Sequence, residues 1–99
     1  SLHEEILRQL FELNPAFAKT MKSKQYRYSK ILIRMKHELG VNQRQMAQLL
    51  NLPYADYLAL EFGSLTIAVN AYESVFVRLS QVTEDDIQSA RTLSLASAV

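Results

Sequence analysis

Few side chains in this sequence have the chemistry and spacing that catalysis or metal binding requires. The chain has no Cys and only two His, His3 and His37, and neither has a second ligand at metal-binding spacing. With only two Gly there is no Gly-rich phosphate loop. The acidic run of residues 84–86 follows Thr83, and acids in the first turn of a helix favour the helix dipole. The sequence therefore predicts a protein that is not an enzyme, with no catalytic residue, no metal site and no cofactor.

Basic side chains are concentrated in one stretch, where they could bind phosphates. Residues 19–44 hold eight cations against one acid, Glu38, whereas residues 45–99 hold six acids against two Arg. This division predicts one basic side of the molecule that is able to face a nucleic-acid backbone. The alternative is a solvated, Lys-rich helical face without a partner. The cations of this basic segment are Lys19, Lys22, Lys24, Arg27, Lys30, Arg34, Lys36 and Arg44.

Two aromatic residues, Tyr26 and Tyr28, stand among these cations. Aromatic rings between cations could form a stacking platform for single-stranded nucleic acid. On an amphipathic helix next to a core, however, such a ring is more often packed inside. We therefore expect Tyr28 to be packed.

The elements that would position these side chains are all helices, because apolar residues recur at helical spacing and nowhere alternate as in strands. Leu2, Ile6, Leu10 and Leu13, for example, fall on one face of an amphipathic first helix. Residues 22–25 are polar and are expected to form a flexible join. The predicted helices cover residues 2–13, 15–21, 26–39, 43–50, 53–62 and 68–81, with a last one after Thr83.

The predicted fold class is therefore all-α, a compact domain of six to seven helices. We divide it into an N-terminal helical arm at residues 1–25, a helix-turn-helix domain at residues 26–82 and a C-terminal helix and tail at residues 83–99. The longest apolar stretches are too short to span a bilayer. Together with the lack of Cys, this predicts a cytoplasmic protein without a membrane partner.

Residues 43–62 have the spacing of a helix-turn-helix. Ala47 falls where the two helices would cross most closely, and a larger side chain there would push them apart. Asn51 lies at the turn, where the backbone needs a positive φ that Asn tolerates better than most residues. Asn42 is a good N-cap for the first of the two helices. The apolar contacts between the helices would come from Met46, Leu50, Leu52, Tyr57 and Leu60.

The sequence from Leu39 to Leu52, followed by Leu60-Glu61-Phe62-Gly63, resembles the Cro and phage-repressor family of helix-turn-helix proteins. The resemblance covers about half of the chain. It implies a lambda-repressor-like core and a transcriptional regulator that binds double-stranded DNA as a homodimer. It also implies that Lys36 pairs with Glu61 to tie the first and third helices of that core together.

The resemblance assigns residues to two kinds of DNA contact. Helix 43–50 would lie on the phosphate backbone, with Gln43 as the family's phosphate-binding Gln. Helix 53–62 would lie in the major groove. The expected phosphate contacts are Asn42, Gln43, Arg44 and Ser64, and the expected groove-facing residues are Pro53, Tyr54, Ala55, Leu58 and Ala59.

The chain departs from the family in these groove-facing residues, where relatives usually carry polar or basic side chains. Direct base readout needs hydrogen-bond donors and acceptors, and only the Tyr54 hydroxyl offers one. The loop after Gly63 also reads Ser64-Leu65-Thr66 where relatives often hold Lys or Arg.

An alternative function follows from the same helix. Tyr54, Leu58 and Phe62 lie at i, i+4 and i+8 and would form an exposed apolar stripe of the kind that contacts a protein. The chain would then be a degenerate helix-turn-helix that serves as a protein-interaction module. The N-terminal arm is also similar to the helical arms of antitoxins, so a further interpretation is that the chain is an antitoxin-like partner protein.

Overall fold

The computed structural model describes the backbone of residues 1–97 and their side chains except at residues 17 and 93–97. These residues form seven helices and no strand, so the predicted all-α fold of six to seven helices is confirmed. The end of the predicted C-terminal tail lies outside the described residues. The helices are α1 (Leu2–Leu13), α2 (Pro15–Met21), α3 (Lys24–Leu39), α4 (Gln43–Leu49), α5 (Tyr54–Phe62), α6 (Val69–Ser80) and α7 (Glu84–Ser97).

Most helix ends lie where the sequence predicts them, because the capping residues are strong local signals. Gly40 and Gly63 end α3 and α5 in left-handed conformations, with φ of 68° and 76°. The predicted positive φ at Asn51 is confirmed at 54°. Thr83 and Asp86 exchange the hydrogen bonds of a capping box at the start of α7, the last helix, which is predicted to begin after Thr83.

The predicted flexible join at residues 22–25 is wrong, because α3 begins at Lys24. Ser23 is the N-cap of α3, and its hydroxyl accepts a hydrogen bond from the Tyr26 backbone N–H at 3.0 Å. A Ser cap followed by Lys and Gln, which are good helix formers, extends the helix into the polar stretch. The predicted helix 53–62 begins one residue later, since Pro53 is its N-cap residue with extended backbone.

The hydrophobic core lies between α3, α4, α5, α6 and α7. Tyr57, Tyr72, Leu32 and Met46 are fully buried at its centre. Tyr28 packs against this core with its ring 5.9 Å from that of Tyr72, so its predicted packing is confirmed. The buried core residues are Leu32, Val41, Met46, Ala47, Leu49, Leu50, Tyr57, Leu60, Tyr72, Val75, Leu79, Ile87 and Ala90.

Helices α1 and α2 form an arm that extends from this body. Helix α1 packs mainly on α2, and none of its twelve residues is buried. The radius of gyration is 15.6 Å, whereas a compact chain of this length is expected to have about 13 Å. The arm therefore makes the molecule elongated. Among the described residues, no helix is long and apolar enough to cross a membrane.

Candidate nucleic-acid interface

The start of α4 is fixed by a reciprocal pair of hydrogen bonds. The Asn42 side chain accepts from the Gln45 backbone N–H at 2.8 Å, and the Gln45 side chain accepts from the Asn42 backbone N–H at 2.8 Å. This capping box confirms the predicted N-cap. The side-chain amide oxygen of Asn42 is thus used within the helix, and Gln43 and Arg44 follow in the first turn.

The amide of Gln43, the expected phosphate ligand, is bonded at both ends within the protein. Its nitrogen donates to Glu61 Oε1 at 3.0 Å, and its oxygen accepts from the Tyr54 hydroxyl at 3.3 Å. One amide hydrogen remains beyond these two bonds, because an amide nitrogen carries two. A phosphate at Gln43 would therefore use that hydrogen or replace the bond to Glu61.

Glu61 stands at the centre of this network. It forms an ion pair with Lys36 at 3.0 Å, and the two side chains are 8% and 10% exposed. The predicted Lys36–Glu61 pair is confirmed. Glu61 also accepts a hydrogen bond from the Tyr57 hydroxyl.

Three donors hold the Glu61 carboxylate in its ionised form. Burial alone would raise the pKa of Glu61, but hydrogen bonds from Tyr57, Gln43 and Lys36 and the Lys36 charge lower this pKa below its ordinary value. Burial and the same carboxylate raise the pKa of the Tyr57 hydroxyl, which therefore stays a donor.

Arg44 lies over the ring of Tyr54. The guanidinium carbon is 4.2 Å from the ring centroid, a cation–π distance. Tyr54 is half-buried and Arg44 is exposed. The structure therefore brings together three residues of the expected site, Gln43, Arg44 and Tyr54, at the edge where α4 and α5 meet.

The outward face of α5 is apolar. Ala55, Ala59 and Phe62 are exposed, and Phe62 is 78% exposed. Leu58 is half-buried, so the predicted apolar stripe of Tyr54, Leu58 and Phe62 is open to solvent mainly at Phe62. Pro53 is exposed at the start of the helix. The Tyr54 hydroxyl donates its hydrogen to Gln43, so it retains only acceptor capacity towards a ligand.

Ser64 lies in a tight turn after α5. Its hydroxyl is 2.8 Å from the Thr66 hydroxyl and accepts from the Thr66 backbone N–H at 3.2 Å. These bonds use the hydroxyl that the sequence assigned to phosphate.

No protein family, curated protein or solved structure matches this chain.

The interpretation of the site therefore depends on its own geometry, which shows one feature that the sequence did not reveal. The loop after α5 packs on the first half of α3, where a Cβ on Gly63 would lie 3.1 Å from Tyr26 Cα. Gln25 donates to the Ile67 carbonyl at 3.0 Å across the same contact. Lys30 holds its ammonium 5.4 Å from the ring centroid of Tyr26, the residue that packs on this loop. The loop itself, residues 63–67, carries no cation.

A second unforeseen feature is an open groove of about 540 Å³ between α5 and α6, on the side of α5 that carries Asp56. Most of its lining is aliphatic. We call it the α5–α6 groove. Within the part of the chain that the structure describes, no three His or acidic side chains are grouped closely enough to hold a metal ion.

Proposed function

We propose that this protein is a DNA-binding transcriptional regulator without catalytic activity, and that it uses α4 and α5 as a helix-turn-helix. The observation that carries the proposal is the exposed Arg44 guanidinium, which is held 4.2 Å from the ring centroid of Tyr54, the residue whose hydroxyl donates to the Gln43 amide. A cation and an amide that are held by the same tyrosine form the type of donor set that binds a phosphate oxygen. The basic segment of α3 adds further positive charge to this molecule.

In this proposal most of the affinity comes from the phosphate backbone. The outward face of α5 offers Ala55 and Phe62, with Ala59 at its border with the α5–α6 groove, and none of these side chains can hydrogen-bond to a base edge. Their methyl groups and ring can touch thymine methyl groups. We therefore expect modest preference among sequences, with some of it read from DNA shape.

The proposal includes a homodimer that binds two half-sites. Regulators that place one helix per subunit in the major groove read half-sites about 34 Å apart. Since DNA is the proposed ligand, we also expect a cytoplasmic protein.

A salt titration on duplex DNA of random sequence tests the proposal. With about three phosphate contacts per protomer of a dimer, log affinity should fall against log salt concentration with a slope near ~−5. Arg44→Ala should make the slope shallower by about one per protomer, because one phosphate contact is lost. The matched control is Arg8→Ala, which removes an exposed Arg of the arm that is bonded to Glu5 and should leave the slope unchanged. Absence of binding at about 50 mM salt, where electrostatic binding is strong, would refute the proposal.

A second candidate function is that of a protein-interaction module, including an antitoxin-like partner protein. Phe62 favours it, because a 78% exposed aromatic side chain on the outward face of α5 is a typical anchor for a protein contact. Under this alternative α5 would bind a protein, and the salt titration on DNA would show no binding.

A further inference from the structure

In the part of the chain that the structure describes, two apolar surfaces are not covered by another element. One is the α1 stripe, formed by Leu2, Ile6, Leu10 and Leu13, which are 77%, 48%, 41% and 82% exposed. The other is the α5–α6 groove. An isolated helix of twelve residues is marginal in water, so α1 needs a surface that covers its apolar face.

We propose that the α1 stripe of one copy of this chain docks in the α5–α6 groove of a second copy, and that the second arm docks reciprocally. The proposal names the interface of the dimer in the proposed function and rests on that dimer, but it does not depend on DNA. Exchange of an identical element between two copies is a common route to a symmetric dimer.

The dimensions of the two surfaces agree. The stripe from Ile6 to Leu13 and the α6 wall of the groove from Ala71 to Arg78 each cover eight residues, which is a rise of about 10.5 Å along a helix. A cavity of about 150 Å³ takes up one benzene molecule, so a groove of 540 Å³ has room for about three side chains of that size. Ile6, Leu10 and Leu13, at i, i+4 and i+7, are three such side chains.

The charges along the edges of the groove and of the α1 stripe favour α1 as the occupant and set the direction in which it lies. The α6 wall of the groove carries Arg78, and the α5 wall carries Asp56. By helical spacing, Glu5 and Glu12 lie along one edge of the α1 stripe, where Arg8 pairs with both of them and leaves one net negative charge, and no acid lies along the other edge. Docking therefore places the acidic edge towards Arg78 and the other edge towards Asp56. Two α1 helices paired antiparallel would instead set the acidic edges against each other and leave both grooves uncovered.

Sedimentation of this 99-residue chain and of three single variants tests the arrangement. Ile6→Ser removes an anchor of the stripe, and Ser74→Trp fills the groove from an exposed position of α6. Each should weaken dimerisation at least tenfold. The control is Val77→Ser, because Val77 is a similarly exposed aliphatic residue of α6, 59% against 48% for Ile6, that does not line the groove. Thermal melting checks that all three variants keep the parent fold.

Disulfide cross-linking locates the contact directly, because the chain has no Cys of its own. An Ile6→Cys copy mixed with a Ser74→Cys copy should form the mixed disulfide in preference to either symmetric one. A dominant symmetric disulfide between two Ile6→Cys copies would show α1 paired with α1 and would overturn the proposal.

The remaining outcomes are equally decisive. A parent chain that stays monomeric at tens of micromolar, or a Ser74→Trp variant that dimerises like the parent, would overturn the proposal. Failure of the proposed DNA function is recognised separately, as a chain that dimerises through the arm but does not bind duplex DNA at low salt.

Discussion

At the scale of single residues, the side-chain amide of Gln43 can serve both the internal hydrogen bonds of the protein and a contact with a phosphate. In the free protein it bonds Glu61 and Tyr54, which lie 18 and 11 residues further along the chain. These bonds connect α4 to α5 and aim the side chain. Under the proposed function the same amide also reaches a phosphate, so its substitution should change both stability and binding.

Gln43→Ala and Leu58→Ala should therefore separate the two candidate functions. If DNA is the ligand, Gln43→Ala should weaken binding to all duplexes by roughly 1 to 2 kcal/mol, because a phosphate contact is lost. Leu58→Ala should instead change the preference among sequences. If α5 binds a protein, Gln43→Ala should leave partner binding unchanged and Leu58→Ala should weaken it by about 1 to 3 kcal/mol.

Melting of the same two variants checks the placement of α5. Gln43→Ala should lose about 1 kcal/mol of unfolding free energy with its two internal hydrogen bonds. Leu58 is half-buried and outside the core, so Leu58→Ala should also lose about 1 kcal/mol. A loss of several kcal/mol in Leu58→Ala would show that this side chain belongs to the core.

Glu61→Gln should destabilise the protein strongly. Lys36 is then left as a nearly buried cation without its partner, and breaking one side of a buried pair typically costs about 3 to 5 kcal/mol. Chemical denaturation at neutral pH measures the loss. The control is Glu73→Gln, which neutralises an exposed acid of α6 and should change the unfolding free energy little.

The pH dependence of stability should also lose a component in Glu61→Gln. The pKa of Glu61 is lowered in the folded protein, so its contribution is complete above the unfolded pKa of 4.5 and is lost as pH falls through the lower folded pKa. Between pH 6 and about pH 3, the parent should therefore lose more unfolding free energy than Glu61→Gln. Equal losses in the two proteins would contradict the assigned role of Glu61.

For whole helices, the sequence predicts most of the fold because the signals that end a helix are local. Asn42, Asn51, Gly40 and Gly63 each act through their own backbone or their nearest neighbours. The start of α3 was missed because Ser23 lies in a polar stretch without an apolar period. The face of α1 was read as an ordinary amphipathic face, but a sequence pattern cannot show whether another element covers it.

The remaining features of the candidate site depend on residues distant in sequence. The family resemblance indicates Gln43 and Arg44 as phosphate ligands, but not that the Tyr54 ring lies under Arg44 or that its hydroxyl bonds Gln43. The α5–α6 groove is equally hidden, because its walls come from two helices and its lining residues are individually ordinary core-edge side chains. Such features arise only when the helices pack.

The turn between α4 and α5 offers a test of backbone conformation. Asn51 has a φ of 54°, and a β-branched residue in this left-handed region costs roughly 1 to 2 kcal/mol. Asn51→Val should lower the unfolding free energy by about that amount, while Asn51→Gly should be nearly neutral because Gly adopts positive φ freely. Melting temperatures of the pair measure the difference. Equal destabilisation by Gly and Val would mean that the Asn side chain, and not its φ, matters.

Over the whole molecule, stability should be unevenly distributed between the arm and the body. Helix α1 has no buried residue, whereas α3 to α7 surround the core. Regions with few buried apolar contacts open at low free-energy cost.

Hydrogen exchange should report this division. Amides of α1 should exchange much faster than those of α6 at low protein concentration, and their protection should rise with concentration as the arm docks on a second copy. Amides of α6 near Tyr72 serve as the internal control, since that side chain is fully buried in each copy. Strong α1 protection that is independent of concentration would argue against an uncovered arm.

The contacts of the Glu61 carboxylate also affect the conformational entropy that is lost when a ligand binds. From its place on α5, Glu61 bonds Lys36 of α3 and Gln43 of α4. We expect three helices connected in this way to move together. A ligand on α4 or α5 then meets side chains whose relative positions are already fixed, so little conformational freedom remains to be lost on binding. A surface with few polar contacts can retain useful affinity for that reason.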